Sequence, residues 1–237
     1  MNLAKNGLLA TAILFSFATG SSGPDGATVS GKITFSGTIA KPKPLDLSKE
    51  PACVKLHSSD PLMPENIVRG SGNTLKNVVV YVSSNLPNAP STPAPPVSFD
   101  QRDCHYTTHV LPVRVGQEID ISNSDPFAHN IHPLAKINRE WNKMQLPNTP
   151  KFSYSYQKEE VIPIKCNIHP WMQGYFVVVQ NAYFAISDEN GRFSLQNLPS
   201  GHYVLTAWHE TLGTQIREIT IPGDETKSLD FVFKANP

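Results

Sequence analysis

Short stretches of this chain alternate apolar with polar residues, and most are of strand length. Residues 29–35 (Val-Ser-Gly-Lys-Ile-Thr-Phe) have the period of two that buries one face of a strand, and Ser36-Gly37 ends it. Residues 75–82 (Leu-Lys-Asn-Val-Val-Val-Tyr-Val) form a nearly continuous apolar run, the pattern of a strand covered on both faces. The proline-rich run at 87–96 predicts an extended surface connector. Residues 108–115 and 118–122 predict a pair of short strands about the turn Gly116-Gln117. Ile137, Trp141 and Met144, spaced i, i+4 and i+7, predict a short helix over 136–146, with Met144 as a packing residue and Pro147 as the stop. Residues 161–164 and 174–179 predict strands on either side of Cys166. Beyond Gln180, strand patterns at 183–186, 192–195, 202–208, 215–221 and 229–233 are separated by polar glycine turns, which predicts a small antiparallel β-sandwich.

Composition narrows the function. Twenty Lys and Arg balance 20 Asp and Glu, so no bulk charge attracts nucleic acid or anionic lipid. The 21 prolines disfavour a helical architecture. At the N-terminus, Lys5 precedes an apolar run from Gly7 to Ala18 and small residues follow to Gly23, the layout of a secretory signal peptide over residues 1–22. That run falls short of the roughly 20 residues a membrane span needs. The expected location is periplasmic or secreted, an oxidising space. Three cysteines there leave one unpaired. Cys53 and Cys104 are expected to form a disulfide, and Cys166 to have a chemical role.

That role is legible in Cys166-Asn-Ile-His169-Pro-Trp-Met172, where a thiolate, an imidazole and a thioether fall within one turn-sized segment. A trigonal thiolate and two imidazoles with a weak axial thioether suit copper, whereas zinc favours four strong ligands. The second imidazole is expected from Asn123-Ser-Asp-Pro-Phe-Ala-His129-Asn130, just past a predicted strand.

These residues resemble the cupredoxins, the amicyanin type most closely, in which a histidine followed by Asn ends one strand and a Cys-x-x-His-x-x-Met loop supplies the other ligands. The resemblance covers roughly residues 77–179. It implies His129, Cys166 and His169 as strong ligands, Met172 as the axial one, and one type 1 copper ion. It also implies that Asn130 braces the two loops beside the cysteine sulfur. By the same resemblance, the His169 ring edge reaches the surface through an apolar patch of Pro170, Trp171, Ile131, Pro133 and Leu134, where a redox partner protein docks. From Tyr183 onward the chain is similar to carboxypeptidase regulatory-like, transthyretin-type sandwiches, through Asp188-Glu-Asn-Gly191-Arg-Phe193 and Leu198-Pro-Ser-Gly201-His-Tyr203.

The expected fold is therefore all-β: a cupredoxin-like Greek-key β-sandwich over 23–179 plus a second small antiparallel β-sandwich over 180–237. In an alternative division the strand at 29–35 completes the second sandwich and the copper domain is an insertion. His132 is read as a loop or partner-facing residue, His105 and His109 as surface histidines, and His202 and His209 as surface or core of the sandwich. No catalytic motif is found. The expectation is a monomeric electron carrier, neither an enzyme nor membrane-spanning; the alternative is a copper-binding or matrix-binding module whose metal is cargo or structural.

Overall fold

A computed structural model of the chain describes residues 26–85, 93–223 and 225–235. The expected signal peptide and much of the proline-rich connector lie outside them. Nearly all regular structure is β, arranged in four sheets. In the first, β1 (Ala27–Ser36) runs antiparallel to β13 (Arg192–Leu198) and parallel to β16 (Lys227–Ser228) and β17 (Phe231–Lys234). The second has the order β12 (Phe184–Ile186), β2 (Val79–Ser84), β14 (Gly201–His209), β15 (Gly213–Ile221). The third has the order β5 (Val110–Arg114), β11 (Gln173–Val179), β10 (Glu160–Lys165), β7 (His129–Pro133), β8 (Lys143–Gln145). The fourth is β4 (His105–Tyr106), β3 (Val97–Arg102), β6 (Ile119–Asn123), β9 (Phe152–Tyr154).

Burial explains the apolar patterns. Ile33, Leu75, Val80, Leu205 and Phe231 belong to one core, which joins the first two sheets. Phe99, Ile121, Ile131, Ile162 and Phe176 belong to another, joining the last two, and Cys166 and Met172 sit in it. A third cluster of Val79, Val110, Val177 and Val179, with Tyr81, Tyr175 and Trp208 against it, joins the second sheet to the third. β2 and β11 are thus covered on both faces, each sending successive side chains into different cores, which is why their sequences lack alternation. Each such valine contributes roughly 1.5–3 kcal/mol on burial. The Tyr175 and Trp208 rings, 5.2 Å apart, and a hydrogen-bonded pair between His109 and Glu210 also cross this junction.

The run at 75–82 supplies β2, which bonds to β12 and β14 and packs on β11 through Val79. Several expectations are corrected. β5 and β6 adjoin the same turn yet pair in different sheets, β5 with β11 and β6 with β3 and β9. The helix over 136–146 is absent: the segment is irregular up to the three residues of β8. The Glu160 carboxylate takes the N–H groups of Lys136, Ile137 and Asn138, and the last turn of the expected helix, residues 143–145, is instead committed to the ladder with β7. Met144 is 59% exposed and packs no core. His109 is buried rather than at the surface, held by Glu210 and the Gln173 carbonyl. α1 (Pro51–Leu56), with proline in its first turn, carries Cys53.

His209, at the end of β14, is 1% exposed, and burial holds its pKa down to about 4. Its Nδ1 accepts the N–H groups of Thr211 and Leu212 at 3.2 Å, which requires the neutral ring. The unfolded chain takes up this proton near pH 6.5, so stability from this group is whole above that pH and is lost as pH falls toward 4, by at most about 3 kcal/mol. Urea unfolding of the wild type against His209→Gln at pH 7, 5.5 and 4.5 checks this: the wild type is expected to lose more stability on acidification than the variant.

Candidate metal centre

β10 and β11 form a hairpin whose last pair, Lys165 opposite Gln173, fixes both ends of the Cys166–Met172 loop. Inside the loop the Cys166 N–H donates to the Met172 carbonyl at 3.0 Å and the Met172 N–H to the His169 carbonyl at 2.9 Å. β7 lies on the other side of β10, with Ile164 opposite Pro133 and Lys165 opposite His132, and so carries His129 and Asn130 to the cysteine.

His129, Cys166 and His169 are each at most 2% exposed, and one donor atom from each lies within 4.8 Å of the others. The two Nδ1 atoms are 2.8 Å apart, and the cysteine Sγ is 3.7 Å from His169 Nδ1. Met172 is buried in the same core, and its main chain closes the loop. Asn130 joins the two segments: its N–H donates to Cys166 Sγ at 3.4 Å, its Oδ1 accepts the Asn167 N–H, and its Nδ2 donates to Asn142 Oδ1 at 2.5 Å. The His169 N–H donates to the same sulfur at 3.4 Å.

This surrounding sets the charge of the sulfur. Burial alone raises a thiol pKa, but hydrogen bonds from the His129 and His169 rings and from the N–H groups of Asn130 and His169 outweigh it and lower Cys166 to about 5. Cys166 is the free cysteine, and Cys53 and Cys104 form the expected disulfide.

A residue not singled out from the sequence completes the centre. Asp125, 5% exposed, accepts His129 Nε2 at 2.7 Å, which leaves Nδ1 as the nitrogen facing Cys166. Its two oxygens also take the N–H groups of Asp103 at 2.7 Å and Cys104 at 2.9 Å. Asp103 and Cys104 are the two loop residues between β3 and β4, with φ of 52° and 58°, the left-handed pair of a type I′ turn. Neither is glycine, so the turn is strained locally, and the carboxylate stabilises it by accepting both of its N–H groups. Burial opposes ionisation of Asp125, but the bonds from His129, Cys104 and Asp103 hold its pKa below the ordinary carboxylate value. The available signal was positional: Asp125 lies four residues before His129 in a turn.

The surface around His169 differs from expectation. His169 is 2% exposed, and Ile131 and Pro133 are buried, which leaves Pro170, Trp171 and Leu134 at least partly open. Phe127 and Trp171 flank the His169 ring at centroid distances of 6.2 and 5.2 Å. The segment that includes Leu45, Leu47, Cys53 and Leu62 packs on those two rings, tethered through the disulfide. His132 lies in β7 rather than a loop, bonded to Glu140 at 2.9 Å and Asn167 at 3.2 Å.

In metal-free protein the ultraviolet thiolate absorbance should titrate with a midpoint near pH 5, present above it and lost below. His169→Ala should move that midpoint upward by about one unit or more.

No family model matches the chain, and no curated protein matches it. Solved structures with a partial likeness include a variant of amicyanin in its Cu(I) form, 24% identical over 42% of this chain and 98% of that one, with a TM-score of 0.32. A copper-containing nitrite reductase from Thermus scotoductus SA-01 is 18% identical over 43% of this chain and 26% of its own, with a TM-score of 0.34. A purple cupredoxin from Nitrosopumilus maritimus is 21% identical over 35% of this chain and 99% of its own, with a TM-score of 0.31.

Proposed function

We propose that this chain is an extracytoplasmic copper protein that carries single electrons between redox partners. The observation that carries this reading is the buried convergence of two Nδ1 atoms on a cysteine sulfur held as a thiolate. Donors spaced about 3–4 Å apart suit a metal bonded to nitrogen at about 2.0 Å and to sulfur at about 2.3 Å. His129, Cys166 and His169 would hold one type 1 copper ion, with the Met172 thioether as the weak axial donor. Bound there, copper supplies a one-electron couple. The chain's own residues keep the ligands fixed between oxidation states: Asp125 fixes the His129 ring, and Asn130 and the His169 N–H hold the sulfur. Burial excludes water from the centre.

In this reading residues 1–22 are a secretory leader. The copper domain comprises the third and fourth sheets, inserted between β2 and β12 of the other sandwich; the pairing of β1 with β13 and of β2 with β12 supports this division. A redox partner docks at Pro170 and Trp171, the open part of the ligand loop beside His169. A second reading, in which the metal is cargo or structural, draws on the 2% exposure of His169.

Copper-loaded protein should show an intense thiolate-to-copper absorption that a mild reductant bleaches reversibly. Cys166→Ser should abolish it, and Met172→Leu should keep it and raise the potential. Colourless protein, or binding of zinc or Cu(I) alone, would support the cargo or structural reading. Asp125→Asn should keep the colour, weaken copper binding by about 10–100-fold and raise the potential, as measured by competition with a chelator and by voltammetry.

A further inference from the structure

Away from the thiolate, Arg139, Trp141, Asn142, Lys143, Phe152 and Tyr154 line a cleft of about 350 Å³, within the size range of small-molecule sites. Its walls are rings: Trp141 lies 4.9 Å from Tyr154 and 5.7 Å from Phe152 between centroids, and Lys143 Nζ sits 3.6 Å from the Phe152 centroid. Its charge has one sign. No carboxylate lines it, and among the described residues neither Arg139 nor Lys143 forms an ion pair. The adjacent Glu140 is bonded to His132. Arg139, Asn142 and Lys143 are exposed, so a ligand can reach both cations, Lys143 where it lies over the Phe152 ring.

We propose that this cleft binds a planar aromatic anion, its ring against Trp141 and Tyr154 and its acidic group against Arg139 and the Lys143 ammonium that lies over Phe152. Aromatic faces favour a flat π-system, and a guanidinium and an ammonium supply what a carboxylate or sulfonate needs. The cleft has a short route to the thiolate. Asn142, in its wall, accepts from Asn130 Nδ2 at 2.5 Å, and the Asn130 N–H donates to Cys166 Sγ at 3.4 Å. Binding needs no metal; only its use as a place for small redox-active partners rests on the proposed function.

The probe is naphthalene-2,6-disulfonate, titrated calorimetrically into the full chain with and without copper. Saturable one-to-one binding is expected in both states, so a failure to bind copper leaves the outcome readable. Ethanesulfonate and 2-naphthylmethanol, which carry the charge or the ring alone, should bind about tenfold more weakly or less. Arg139→Glu and Lys143→Glu, both at exposed positions, should each weaken the disulfonate by about tenfold or more, and Trp141→Ala likewise, while Lys41→Glu should leave it unchanged. Absence of saturable binding overturns the proposal, as does equal binding of ethanesulfonate or unchanged affinity in the two charge-reversal variants. A change of oligomeric mass in Lys143→Glu without disulfonate binding also overturns it, assigning the face to a second copy of the chain.

Discussion

The centre depends on the register of one ladder. Ile164 opposite Pro133 and Lys165 opposite His132 bring the end of β10 beside β7, so that Cys166 emerges next to Asn130 and His129. Side chains on a strand alternate between faces, so a slip of one residue would turn His129 out of the core and Ile131 with it. The register is held from several sides. Ile131, Ile162 and Ile164 are buried in the shared core, β8 pairs His129 with Gln145, and β11 pairs with β10 over six residues. Packing two valine-rich faces, β2 against β11, then builds one sandwich onto the other and stiffens the sheet that carries the candidate ligands.

Much of this was legible because the signals were local. The alternation over 29–35 became β1, and the i, i+3, i+6 spacing of Cys166, His169 and Met172 became the closed loop of a hairpin. The continuous run at 75–82 was correctly read as doubly covered, but it does not name the strands beside it, because periodicity reports how many faces are buried and not by what. The false helix has the same origin. Trp141 is drawn to the rings of Phe152 and Tyr154, while Ile137 and Met144 remain exposed, so three apolar positions at helical spacing never shared a face. Asp125 escaped notice, and His109 was read as a surface residue, because their partners are distant in sequence: the Asp103-Cys104 turn for one, Glu210 for the other.

Cys104 links these parts. Its side chain is bonded to Cys53 of α1, its N–H reaches Asp125, and its carbonyl accepts the Trp171 indole N–H at 2.9 Å. Through Asp125 it orients His129; through Trp171 it fixes the ring beside His169. One residue in a left-handed turn therefore holds both halves of the thiolate site and the segment that covers it. Displacing that turn would deprive the carboxylate of two N–H donors and Trp171 of its acceptor together, so the covering segment and the geometry at Cys166 are coupled. The disulfide does more than shorten the unfolded chain, because it ties the covering segment to the same backbone that orients the candidate ligands.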